Sequence, residues 1–317
     1  MYYEPSGPLG KEQDDFISCK SWFTLPRMAN TIGKIPPRAS RSFLEVRGRS
    51  AIVSAQLYFN KLIYGIIRSM CRMPSQGWLQ SRWHWYRFPF SMRKTVLWSP
   101  FLAAWFSPED ESAMECMMRL PDYEPIGWVT PETDNVFVDI GAYIGPYTIL
   151  AAQAVGAHGR VVAMEPDIAN RQQLERNVVL NGLTNCTIIP NAAWSRSDRI
   201  GWHKGEQPVW HGVDESQISE TVEAIRVDDM VAQQALIRVD WIKIDIEGGE
   251  IEALRGAANT LVRFGPTLFI EVHETMGVLR DLLTSQDYYI ERESFDQGPD
   301  HHGWVLARPK NKPTRTE

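Results

Sequence analysis

From Glu109 onward the chain alternates short apolar runs with segments of helical period, and that alternation limits the possible folds more than any other feature. Helix signals over 109–119 precede a turn region at 121–131. Strand-like runs follow at 136–140, 160–166, 187–191, 241–245 and 267–273. Between them lie helical patterns at 146–156, 168–181, 250–263 and 275–284, the third placing Ile251, Leu254, Ala258 and Leu261 on one face. From about 191 to 230 the pattern is irregular and β-rich. Strands joined through helices run mostly parallel, in a sheet covered on both faces. The last two runs, 288–292 and 304–308, have no helix between them, which predicts a hairpin and one antiparallel strand. The expected fold is α/β, a doubly wound, Rossmann-like sheet over 108–317.

The remainder of the chain differs in charge. Residues 1–107 hold 15 Lys+Arg against 5 Asp+Glu, and the rest hold 18 against 34. The sign change marks a boundary near 107–112. An acidic half is a poor surface for a phosphate backbone, so no nucleic-acid partner is expected. Residues 1–50, rich in Pro, Ser and Gly, are expected to be irregular or disordered, and Met28 offers an alternative start. Residues 51–107 form a basic, aromatic-rich extension. Its 51–70 stripe of Ile52, Val53, Leu57, Ile63, Ile66 and Ile67 suits a surface helix packed on the main domain, or one lying on a membrane. The interleaved aromatics and bases of WLQSRWHWYRFPFSMRKTVLW suit packing, substrate or lipid contact, or base stacking. Peripheral membrane contact through 51–105 therefore stays open.

Four dispersed cysteines, with no metal spacing, point to a reducing compartment, and the charged first fifteen residues hold no apolar stretch of a signal peptide. A cytoplasmic location is the expectation. Charge-free runs at 140–159 and 177–195 are interrupted by glycines, Pro146 and Pro190, and neither reads as a membrane span.

In VFVDIGAYIGPYT, residues 136–148, a strand enters a loop at Asp139. In doubly wound sheets ligands sit beyond the carboxyl ends of the strands. A dinucleotide loop needs G-x-G-x-x-G so that backbone amides can touch a pyrophosphate. Here the order is Gly141, Ala142, Tyr143, Ile144, Gly145, Pro146. Tyr143 adds bulk, and Pro146 removes an N–H that could hold a phosphate. S-adenosylmethionine, which has no phosphate, suits such a loop. Glu165 ends the next strand twenty residues after Gly145, where an acid can accept both ribose hydroxyl protons. A second motif, VDWIKIDIEGGE at 239–250, puts Lys243 and Asp245 on one strand face between Ile242 and Ile244. A buried lysine there needs a partner, with Asp245 and Glu271 as candidates.

With these motifs on the page, the chain resembles the FkbM-type S-adenosylmethionine-dependent methyltransferases. The resemblance rests on VFVDIGAYIGPYT, VVAMEPD, NAAWS, VDDM, WIKIDIEGGEIEALRGA and PTLFIEVH, and covers about 135–308. It implies a Rossmann-like methyltransferase fold and O-methyl transfer to a hydroxyl of a sugar, glycan or other small molecule. By motif match, Asp139, Gly141, Ala142, Tyr143 and Gly145 would surround the methionine moiety. Glu165 would hold the ribose, and the turn Asn191–Ala192–Ala193 would border the adenine. Gly249 stands where the family often has alanine, and 1–107 carries no matching motif.

For the chemistry, a hydroxyl acceptor profits from a positioned base. His273, after the fifth strand, is the first expectation for it, with a structural histidine as the alternative. Asp245 and Glu247 border the same crevice, Asp245 nearer the cofactor, and Glu271 would orient His273 or pair with Lys243. No metal is assigned, although Asp245, Glu247, Glu271 and His273 have the donor types to hold a divalent cation. His301 and His302 are expected to be solvated loop residues unless their loop overhangs the acceptor. A nicotinamide-dependent sugar oxidoreductase and a non-catalytic binding protein of the same fold remain the alternative functions.

Overall fold

The computed structural model describes residues 47–48, 95–122, 124–202, 220–295 and 302–311. The expectations for residues 1–46, for the 51–70 helix, for most of the aromatic stretch and for His301 lie outside the described residues.

The central sheet has seven strands: β4 (Val136–Ile140), β5 (Arg160–Met164), β6 (Cys186–Ile189), β10 (Trp241–Ile244), β11 (Thr267–Val272), β12 (Tyr288–Phe295) and β13 (Gly303–Pro309). Their order is β12-β13-β11-β10-β4-β5-β6. β4 lies at the middle, with β5 and β6 stepping out on one side and β10 and β11 on the other. The switch point is thus the β4–β10 pair, whose parallel register sets Lys243 beside Asp139. β13 runs antiparallel to both β11 and β12, the predicted hairpin and single antiparallel strand.

Around the sheet pack α1 (Glu111–Arg119), α2 (Pro146–Val155), α3 (Ile168–Leu180), α4 (Val227–Gln233), α5 (Glu250–Gly256), α6 (Ala258–Phe264) and α7 (Met276–Ser285). The inner strands are apolar on both faces, as a sheet covered on both sides requires. One core cluster joins Val138, Ile140, Ile242 and Ile270 to Leu254, Leu261 and Leu279 of the helices. A second joins Phe137, Trp241, Phe269 and Trp304 to Tyr147 and Ala151.

Three segments differ from the expectation. The predicted helix 250–263 is two helices, because the Asp228 carboxylate accepts the N–H groups of Asn259 and Thr260 and starts α6 anew. Asn191–Ala193 is not a turn. Ala192–Ala193 form a short strand, β7, which pairs with β9 (Glu220–Ile225) beside β8 (Arg199–Trp202). Ahead of the main sheet, β1 (Arg47–Gly48), β2 (Leu97–Ser99) and β3 (Ala104–Phe106) make a small antiparallel sheet. Asn177 of α3 and Asn181, which caps its C-terminus, accept from the backbone N–H groups of Ser107 and Trp105 at 2.9 and 2.7 Å, so the end of the basic extension is tied onto this helix.

Candidate active site

The carboxyl ends of β5, β4, β10 and β11 deliver the chemistry-bearing residues in turn. Beyond β4, the backbone turns sharply at Gly141 (φ 74) and Gly145 (φ 96). A Cβ on Gly141 would lie 1.8 Å from the Asp245 carbonyl oxygen, and one on Gly145 would lie 2.4 Å from Leu174 Cδ1. Both glycines therefore serve close packing of protein on protein. Gly141→Ala combines this collision with a left-handed backbone, so we expect a loss of about 3 kcal/mol or more, read by thermal unfolding.

Four of the five N–H groups from Gly141 to Gly145 are engaged within the protein. Gly141 and Ala142 donate to the Met164 carbonyl, Gly145 to the Ala142 carbonyl, and Tyr143 to Glu165 Oε2 at 2.8 Å. Pro146 opens α2 without an N–H. Such a loop offers no cradle to a phosphate. Tyr143 packs against two core clusters, one holding Phe137 and Tyr147 and the other Leu97 and Ile149. It contributes its backbone, not its ring, to the site.

Glu165 is buried. Its other oxygen accepts from Asp167 N at 2.9 Å, and a carboxylate so placed still has lone pairs for two further donors. Burial pushes its carboxyl up to about 8, against the pull of those two N–H donors. Asn191 is partly exposed, whereas Ala192 lies in a small core cluster with Trp194, Ile200 and Ala224.

Lys243 is 2% exposed and donates to the Gly141 carbonyl at 2.8 Å. Its ammonium lies 3.1 Å from Asp245 Oδ2, the partner the sequence suggested, and 3.5 Å from Asp139 Oδ1. Glu271 does not take this role. Asp139 is fully buried, held by Thr148 Oγ1 at 2.6 Å, so it anchors Lys243 and α2 beneath the loop instead of facing a ligand. Burial would lower the lysine, but Asp245, Asp139 and Glu124 together raise it. Burial would likewise raise Asp245, yet the ammonium and a hydrogen bond from Glu271 hold it at about 2. Glu271 shows the converse: burial and the Asp245 charge push its carboxyl well up.

His273 follows β11. Its Nδ1 meets Glu250 Oε1 at 2.5 Å, and its Nε2 lies 3.3 Å from Glu247 and 3.9 Å from Glu271. Burial would lower the imidazole, but the Glu250 contact and the flanking carboxylates raise it. Glu250, not Glu271, orients the ring. Glu247 sits at φ 48 in the β10–α5 turn, and burial with the Asp245 charge moves its carboxyl up to about 7. His302 lies half-exposed in the bend before β13, yet its Nε2 is not left to solvent alone, for it contacts Glu271 Oε1. Sequence reasoning also missed Glu250 and Glu124. The latter accepts from Tyr147 at 2.7 Å and is pushed to about 8 by burial and Asp245.

Residues 139–290 match the family described as methyltransferase FkbM domain. The chain is 23% identical over 212 residues to the methyltransferase sdnD of Sordaria araneosa, covering 54% of this chain and 80% of that protein. Among solved structures, a methyltransferase FkbM from Methylobacillus flagellatus aligns at 22% identity and a TM-score of 0.44. That alignment covers 58% of this chain and 46% of the other, so this chain spans less than half of that structure. Aeropyrum pernix fibrillarin, solved with S-adenosyl-L-methionine, aligns at 12% identity and a TM-score of 0.39, covering 56% and 68%. The likeness to the FkbM methyltransferases thus runs through residues 139–290, just under half of the chain.

Proposed function

We propose that this methyltransferase uses S-adenosylmethionine to methylate a hydroxyl oxygen of a sugar, glycan or other small molecule. The observation that carries the reading is a buried carboxyl, Glu165, on one side of the β4–β10 switch point, with Asp245, Glu247, Glu271 and His273 on the other. The residues fit a cofactor without phosphate, since four of the five loop N–H groups are already engaged and Glu165 retains acceptor capacity for a ribose diol. When bound, S-adenosylmethionine supplies a methyl group on a positive sulfur, already activated for transfer. The chain's own task is then to align an acceptor oxygen and remove its proton.

Asp245, ionised across the physiological range, gives the cofactor side a fixed negative charge. Glu247 projects from its strained turn and is the most exposed carboxyl beside His273, with 30% of its side chain accessible. We assign it the acceptor's proton. Both nitrogens of His273 already face carboxylates, so the ring positions Glu247 instead of acting as a free base. A nicotinamide cofactor would need the phosphate cradle this loop lacks. No helix among the described residues is long and apolar enough to cross a membrane, and peripheral contact through 51–105 remains a proposal.

Calorimetric titration tests the cofactor: S-adenosylmethionine should bind and NADH should not, and tighter binding of NADH overturns the reading. The acceptor would appear as a hydroxylated metabolite that gains one CH₂ in cells expressing the protein. Glu165→Gln should weaken S-adenosylmethionine roughly 10-fold, because the amide has one acceptor oxygen where the carboxyl has two. It should also alter pH dependence without ligand. An acid whose folded value of about 8 exceeds its unfolded 4.5 keeps its proton in the folded state, so folding is disfavoured as pH rises between those values. The wild type should lose roughly 3–5 kcal/mol over that window from this group, and the variant should not. Urea unfolding at pH 5 and pH 8.5 would show parallel losses in the two proteins if this assignment is wrong.

A further inference from the structure

The geometry points to a divalent transition-metal site formed by Glu271, His273 and His302 at the acceptor side of the crevice. One ligand atom from each lies within 4.8 Å of the others. Glu271 and His273, two residues apart at the end of β11, share a face of the sheet edge. His302 joins them because β13 is antiparallel: pairing of Val272 with Gly303 brings the residue that precedes β13 to the carboxyl end of β11. The two imidazoles stand with ring centroids 5.3 Å apart, and both turn Nε2 toward the carboxylate of Glu271.

Two further features suit a cation. His273 Nδ1 is fixed at 2.5 Å by Glu250, itself fully buried, which leaves Nε2 as the ligating atom. A carboxylate behind a ligating histidine is how metal sites hold ring and tautomer. In addition, the carboxylates of Asp245, Glu247, Glu250 and Glu271 lie together at this edge, whereas Lys243 is its one lysine among the described residues. Two nitrogen donors and one carboxylate suit Mn²⁺, Fe²⁺, Co²⁺ or Zn²⁺ better than Mg²⁺ or Ca²⁺, and three ligands leave positions open. Resting on the proposed O-methyl transfer, the open positions take the acceptor hydroxyl, whose polarised O–H yields its proton to Glu247. With the metal bound, His273 serves as a ligand through Nε2 in place of its contact with Glu247, which then faces the metal-bound hydroxyl.

The test is titration of the full chain, stripped with a chelator, with Co²⁺ alone, read by visible d–d absorption. One Co²⁺ per chain is expected. His302→Ala, at a half-exposed position that folding tolerates, should weaken Co²⁺ at least about 100-fold, and Glu250→Gln roughly 10- to 100-fold through the ring it holds. Circular dichroism and S-adenosylmethionine titration of the same samples should be unchanged in His302→Ala. A wild type that binds no Co²⁺, or a His302→Ala variant that binds it as tightly, overturns the site. Failure of the S-adenosylmethionine titration in the wild type would overturn the cofactor reading instead, whatever the Co²⁺ result.

Discussion

Replacing Lys243 with Met is expected to destabilise the protein by about 3–5 kcal/mol, because a buried charge is then left without its partner. The ammonium is 2% exposed and stands between Asp139, which is fully buried, and Asp245. Asp139 Oδ1 already has no hydrogen-bond donor, Thr148 serving the other oxygen, so removing the ammonium 3.5 Å away takes its compensating charge as well. It also frees the Gly141 carbonyl, which Lys243 binds at 2.8 Å. The expected fall in Tm is roughly 6–20 °C, measured by calorimetry. Asp139→Asn in the same background should recover part of the loss, because the orphaned charge goes with it. Strict additivity of the two single changes would show that the pair is not coupled.

Glu247→Gln should reduce kcat by roughly 10²–10⁴-fold, the usual contribution of a positioned general base. The change keeps the side-chain shape and removes only the capacity to take a proton. Binding of S-adenosylmethionine should stay within about threefold, because the groups assigned to the cofactor lie with Glu165 and Asp245. In assays without added metal, His273→Asn should reduce kcat less than Glu247→Gln, since the ring there holds the carboxylate and does not take the proton. Methyl transfer that persists within tenfold in Glu247→Gln would return the base role to His273 or another group.

Much of this arrangement was legible beforehand, and the reason is period. Strands buried on both faces leave uninterrupted apolar runs, so β4, β10 and β11 stand out in the sequence nearly to the residue. The acids that end such strands, Glu165 and Asp245, follow from the strands themselves. What escaped depends on pairing between distant elements. Glu250 reads as an ordinary acid in a helix first turn, and only the packing of α5 against β11 turns it toward His273, 23 positions away. His302 was misjudged although the antiparallel strand was foreseen. Reversed direction alone places the residue before β13 at the catalytic edge, and that step could have been taken from the sequence. Asp139 was assigned to the ligand because it lies in the cofactor motif; its burial beneath Lys243 depends on the β4–β10 register.

The buried lysine also bears on how the chain reaches its fold. Lys243 and the carbonyl it binds are 102 positions apart, yet their strands are neighbours at the middle of the sheet. Loop-closure entropy opposes that meeting until much of the intervening chain is organised. Each charged strand also loses hydration on entering the apolar interior, and pairing of the ammonium with the Asp139 carboxylate across the two strands offsets part of that cost. Closure of the central strand pair is therefore expected to be a late, concerted event in folding. Substitutions at Asp139 or Lys243 would then accelerate unfolding much more than they slow folding.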